Sequence, residues 1–299
     1  IASSLLNKPI DFDIRDDIFT ITNHLNLGKD FLPNDLPKLK ASELNMEAGK
    51  KAKSSAAYEV ALNYFINGIH FIEAYSEENN FNKHKYLKVN FYLEAAECGY
   101  LLNKQDVMEE YLSKTLNETD DLIIKARVSE IKNKYLITSG NPSLAIQNTI
   151  ELLRELGINF PTNPNIVHVL ISLIKVQNIL RKKTFQELSS YKTATDTKFI
   201  AAMKLISIIG SAAYFASPNL LPLLILENVY LSLKCGYSPF TPFSFSAYGI
   251  ILCGTLGKVD KGYDFAKLAL NIYEEVGGIK SKTKILHMVN SFIIHWKDH

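Results

Sequence analysis

The stretch Gly254-Thr255-Leu256-Gly257-Lys258-Val259 ends like a phosphate-binding loop. Such a loop needs an earlier glycine, where Leu252 stands, and a metal-binding Ser or Thr, where Val259 stands. It is also predicted to follow a helix rather than a strand, so it reads as a helix stop. The seven histidines form no HExxH pair, and none has a cysteine at zinc spacing. His287 and His295 would share nearly one face of a continuous helix, but that segment offers no further ligands. His84, with Lys85 and Lys88, has the make-up of a phosphotransfer helix, where a lysine neutralises phosphate charge. At a helix start after a polar loop it reads as a solvated histidine. The carboxylate pairs Asp16/Asp17, Glu77/Glu78, Glu109/Glu110 and Asp120/Asp121 fall near helix starts or loops, where they favour the helix dipole or water. Cys98, Cys235 and Cys253 form no CxxC pair and read as reduced, buried thiols. No serine or cysteine nucleophile motif appears. The expectation is no catalytic residue, no cofactor and no metal.

Binding is the remaining chemistry. Net charge is only +2, from 33 basic and 31 acidic residues, with no basic stripe of the kind nucleic acid requires. Local basic clusters occur at Lys50, Lys51 and Lys53 and at Arg181, Lys182 and Lys183. Lys50 and Lys53 fall where a helical repeat faces its concave groove, and lysines there can clamp a peptide carboxylate. With Glu97 and Tyr100 they are the candidate groove contacts.

Such residues must be carried on helices. Four times a capping residue precedes proline: Asn141-Pro142, Asn163-Pro164, Ser217-Pro218 and Thr241-Pro242. Gly140, Gly157, Gly236, Gly257 and Gly277 supply the matching stops. Pro222 lies one turn inside a helix opened at Pro218, so that helix either starts later or kinks. Ala57, Ala61, Tyr64, Phe65, Gly68 and Phe71 share a helical face, as do Val128, Ile131, Tyr135 and Leu136. About thirteen helices are expected, with longer links near 77–84, 157–163 and 184–195. From Leu205 to Leu226 there is no charged residue, a length that could span a bilayer. The turn signal Ser217-Pro218-Asn219 divides it, so two shorter buried helices and no membrane span are expected.

Self-comparison points to degenerate tetratricopeptide-like hairpins, with small residues where paired helices cross. Gly49, Ala61, Phe65, Gly68 and Ile69 meet the pattern well. Ala96, Asn103, Leu112 and Leu116 meet it in part, with Met108 where a small residue belongs. Gly140, Ala145 and Leu153 keep the turn and second helix, and Gly257, Gly262, Ala266, Ala269 and Leu270 keep the second half. The anchors Ala61, Met108 and Ala145 lie 47 and 37 residues apart, a loose period. The stretch 196–257 fits no repeat and reads as an apolar layer between repeat segments. The fold class is all-α, an α-α superhelix.

Longer strings carry a resemblance. They are Leu44-Asn45-Met46-Glu47-Ala48-Gly49-Lys50-Lys51-Ala52-Lys53, Ser211-Ala212-Ala213-Tyr214-Phe215-Ala216-Ser217-Pro218-Asn219-Leu220-Leu221, Tyr248-Gly249-Ile250-Ile251-Leu252-Cys253-Gly254, and Gly262-Tyr263-Asp264-Phe265-Ala266-Lys267-Leu268-Ala269-Leu270. With His295-Trp296 they resemble the helical region of large bacterial multi-sensor signalling kinases with an AAA-type ATPase core. The resemblance implies that 1–30 is the exit from an ATPase portion and 31–299 a repeat domain; the start at Ile1 and the end just after the apolar run Phe292–Trp296 read as cuts from a longer protein, cytoplasmic by its reduced cysteines. The resemblance implies a non-catalytic scaffold whose partner is a protein, a peptide or neighbouring domains. The catalytic residues of that family find no matching positions. The alternative expectation is an effector-sensing domain with a small-molecule pocket in the layer 200–256.

Overall fold

The computed structural model describes residues 14–29, 38–78, 84–276 and 282–297, which form fourteen α-helices and no strand. The helices are α1 (Ile14–Leu27), α2 (Lys38–Ser54), α3 (Tyr58–Glu78), α4 (Lys85–Leu101), α5 (Gln105–Glu118), α6 (Leu122–Thr138), α7 (Pro142–Glu155) and α8 (Ile166–Leu180). They continue as α9 (Phe185–Ser189), α10 (Thr197–Ala216), α11 (Leu221–Cys235), α12 (Thr241–Ile250), α13 (Val259–Val276) and α14 (Lys282–Phe292). The chain forms two compact units, 1–124 and 125–299. Their boundary falls inside the stretch 31–299 expected to be one domain. Gly277 lies outside the described residues, as do the side chains of Asp16, Asp17, Glu77 and Glu78.

One turn recurs. The links Ser55-Ala56-Ala57, Leu102-Asn103-Lys104, Ser139-Gly140-Asn141 and Leu256-Gly257-Lys258 each place their middle residue in the left-handed region, at φ 58°, 56°, 81° and 62°. In the first three, the third residue's N–H returns to a carbonyl five residues back: Ala57 to Ala52 (3.0 Å), Lys104 to Gly99 (2.8 Å) and Asn141 to Leu136 (2.8 Å). This arrangement satisfies the last carbonyls of a helix and reverses the chain. In the fourth, Lys258 N–H reaches back six residues to Leu252 (2.8 Å). The extra residue is absorbed by a single π-helical turn, Ile251–Thr255, that continues α12.

The turns set a common register. Seven residues before the left-handed residue stand Gly49, Ala96 and Asn133, and nine after it stand Phe65, Leu112 and Thr149, all buried. The π turn moves the first of these positions to Gly249 in the last hairpin, opposite Ala266. At Gly49 the approach is close enough that a Cβ would overlap the Phe65 ring. At the matching place in the third hairpin the pair is polar: Asn133 Nδ2 donates to Thr149 Oγ1 at 2.7 Å.

In the first unit α1 packs on α2, and α2 to α5 pack in sequence. A reciprocal amide pair joins Asn26 and Asn45, both bonds 2.9 Å. In the second unit α10 lies between α7 and α11, α11 meets α8 and α12, and α13 and α14 close on α12. An aromatic ladder runs through its core: Tyr191, Tyr237, Phe245, Phe265 and Tyr248, with neighbouring centroids 4.9–5.4 Å apart.

The starts and stops differ from expectation in detail. Asn141 does precede a helix with proline in its first turn, though its side chain makes no cap bond. The α8 cap lies two residues past Asn163: Asn165 itself caps, accepting from Val167 and His168 N–H. The α11 start lies after Leu220, so Pro222 sits in the first turn, where its missing N–H costs nothing. Thr241 is the first residue of α12 rather than its cap, and its hydroxyl accepts from Ser238 N–H (3.0 Å). The apolar run is broken at 217–220, as the turn signal requires. Even so, α10 by itself is long and apolar enough to cross a bilayer by length and composition. Its Lys204 reaches buried Glu130, and Ala202, Met203, Leu205, Ile206, Ile209, Ala212 and Ala213 are buried within the unit.

Candidate functional site

The predicted groove residues lie on α2 and α4, the first helices of successive hairpins. Lys53 stretches from α2 to α4 and bonds Glu94 (2.5 Å) and Glu97 (2.6 Å). Burial alone would lower the Lys53 ammonium's pKa, but the hydrogen bonds to Glu94 and Glu97 outweigh it and hold it above the ordinary lysine value. The triad carries a net charge of −1, so a peptide carboxylate arriving at Lys53 meets two carboxylates already there. Lys50 is exposed and Tyr100 half-buried on the same two helices. The structure thus joins Lys53 to Glu97 and leaves Lys50 facing solvent. Beside them Cys98 is buried, which pushes its thiol up to about 12.

The other singled-out residues have structural surroundings. The His84 ring packs edge-on against Tyr75 (5.2 Å) at the start of α4. His287 Nδ1 meets Ser291 Oγ at 3.1 Å, whereas His295 lies beyond the end of α14 in a 3₁₀ turn against Trp296. The two therefore do not share one helix. No group of three or more His, Cys, Asp or Glu side chains that could hold a metal occurs among the described residues. The segment 254–259 runs through the π turn and the helix stop at Gly257, without a strand.

The second unit holds three features that sequence reasoning did not single out. First, Glu130 on α6 is only 3% exposed and bonds Arg127 (2.9 Å), Lys134 (2.8 Å) and Lys204 (2.7 Å). Burial would raise its carboxyl, but the hydrogen bonds from Lys134 and Lys204 outweigh that and take it down to about 2. The spacing of Arg127, Glu130 and Lys134 was a readable signal, but Lys204 arrives from a distant helix. Second, α8 turns an apolar stripe outward: Ile166, Val167, Leu170, Ile171 and Ile174 are 48–67% exposed. The sequence signal was a helix apolar on nearly every face. Third, a cleft of about 310 Å³ opens between 177–188 and 248–268. From the layer 200–256 it takes only Tyr248 and Leu252, so it lies at the edge of the region where a pocket was expected.

The chain is 23% identical over 310 aligned residues to hybrid signal transduction histidine kinase G of Dictyostelium discoideum. The match covers 94% of this chain but 9% of that protein. This is a region similar to part of a signalling kinase. The relative is not bacterial, so the expected bacterial setting has no support here. No family model matches the chain, and no solved structure matches it significantly.

Proposed function

We propose that this chain is a non-catalytic helical scaffold of degenerate tetratricopeptide-like hairpins within a long cytoplasmic signalling kinase. In this reading it couples an ATPase portion to an output domain. The three matching turns with their shared register, and the fourth shifted by one residue through the π turn, support the hairpin reading, since each repeat needs its neighbour to bury its apolar face. The observation that carries the interaction role is the outward stripe of α8. A row of five exposed branched side chains is a surface that another protein surface would cover. The occupant in this proposal is a neighbouring segment of the same polypeptide. The similar kinase extends far beyond the matched region, which leaves ample chain to fold back.

A photo-reactive amino acid at Ile171 of the full-length parent protein tests this. Cross-links to residues of the same polypeptide outside 1–299 are expected. Cross-links only to a second copy or to a separate protein would overturn the intrachain reading. Tight ATP binding to the 299-residue chain by calorimetry would overturn its non-catalytic character.

A further inference from the structure

We infer that the cleft between 177–188 and 248–268 is a binding site for a small amphipathic anion, an apolar body bearing one carboxylate or phosphate. The inference stands independently of the scaffold reading. The volume, about 310 Å³, lies at the lower end of the range for small-molecule sites. Its apolar lining is Leu180, Phe185, Leu188, Leu252, Phe265 and Leu268, together with the ring of Tyr248. These come from α8, α9, the α12 end and α13, so the walls are carried on packed helices rather than on a loop.

The rim is strongly one-signed. Arg181, Lys183, Lys258 and Lys261 line the cleft against a single acid, Asp264, a local charge of +3 in a chain whose net charge is +2. Arg181, Lys258 and Lys261 are exposed and make no ion pair among the described residues, and Lys183 lies over the Tyr191 ring at 4.5 Å. Unpaired cations around a low-dielectric floor attract an anion more strongly than the same charges spread over a surface. A bare anion would leave the floor wet, and a neutral apolar body would leave the cations unused, so the lining selects a ligand having both.

Tyr248 is the independent sign. The residue is 1% exposed overall and lines the cleft, and its hydroxyl makes no hydrogen bond to another described residue. Burial pushes it up to about 12, so it stands as a neutral donor. Tyr237 shows the ordinary alternative in the same core: its hydroxyl donates to the Leu188 carbonyl at 2.8 Å. A hydroxyl without an internal acceptor, on a residue that lines the cleft, can donate to a ligand's oxygen.

Titration calorimetry on the 299-residue chain with decanoate, decyl phosphate and decyltrimethylammonium tests the inference. One molar equivalent of decanoate or of decyl phosphate is expected to bind, the comparison showing which head group is preferred, while the cation is expected not to bind. Lys258→Glu with Lys261→Glu should weaken the anion about tenfold or more. Tyr248→Phe should weaken it about five- to tenfold, the worth of one hydrogen bond. Because that hydroxyl has no internal partner, its removal should leave Tm unchanged, which separates a ligand role from a structural one. Equal binding of decyltrimethylammonium, unchanged affinity in the lysine variant, or no binding of either anion would overturn the proposal.

Discussion

Replacing Glu130 with glutamine keeps the shape of a buried side chain and removes only its charge. Three cations, each about a third exposed, would then face a neutral amide. The magnitude follows from the proton equilibrium. The carboxyl titrates near 2 in the folded chain against an ordinary 4.5, so at about 1.4 kcal/mol per tenfold the charge contributes roughly 3 kcal/mol. Water reaches the cations and screens part of this, so a loss of about 2 kcal/mol at neutral pH is the working value. Because the folded-state value is depressed, the contribution is complete above pH 4.5 and fades as the pH falls toward about 2. Urea unfolding followed by Trp296 fluorescence is the appropriate assay. Trp296 is the chain's one tryptophan and belongs to the same unit as Glu130, so the first unit does not contribute to the signal. Wild type and Glu130→Gln should differ at pH 7 and converge as the pH falls to about 2. A difference under about 0.5 kcal/mol at pH 7, or one that persists undiminished into acid, would refute the claim that this charge is a stabilising hub. Lys204→Met should lose most of its own cost in the Glu130→Gln background, since the two share one interaction.

Other substitutions probe the backbone and core. Gly236 has φ 111°, and a Cβ there would stand 2.8 Å from Ala194 N and 2.9 Å from Lys192 O. Gly236→Ala should cost about 3 kcal/mol and speed hydrogen exchange at Ala194 and Tyr237, whose N–H groups donate to the Tyr237 and Lys192 carbonyls respectively; unaltered exchange would contradict that. Thr149→Val removes one of the two hydrogen bonds donated by the Asn133 amide, leaving that to Ser129 Oγ beside an Oδ1 that already lacks a partner, and should cost about 0.5–1.5 kcal/mol in urea unfolding. Adding Asn133→Leu should restore most of that loss, and a further loss instead would show that the polar pair is worth more than its apolar replacement. Iodoacetamide on the folded chain should label half-buried Cys235 first, with buried Cys98 and Cys253 modified only on unfolding, as peptide mass spectrometry would show. Labelling of Cys98 as fast as Cys235 would contradict its burial.

The sequence by itself determined the helical class and much of the punctuation. Gly140 and Gly257 marked turns because only a residue tolerant of positive φ stops a helix cheaply there, whereas Ala56 and Asn103 hold the same conformation without the glycine signal. Small residues at 49, 61 and 68 showed where helices cross, because close approach excludes a Cβ or permits little more. Tertiary structure decided the partners. Lys53 read as a free groove lysine until α4 brought Glu94 and Glu97 to it, and Glu130 was not singled out at all, because Lys204 meets it only through packing. A long charged side chain carries no mark of whether it faces water or a counter-charge, since its partner lies at an unrelated position in the chain. The same is true of the cleft at Tyr248. Its walls come from segments about seventy residues apart, and only their packing decides which hydroxyl is left unpaired.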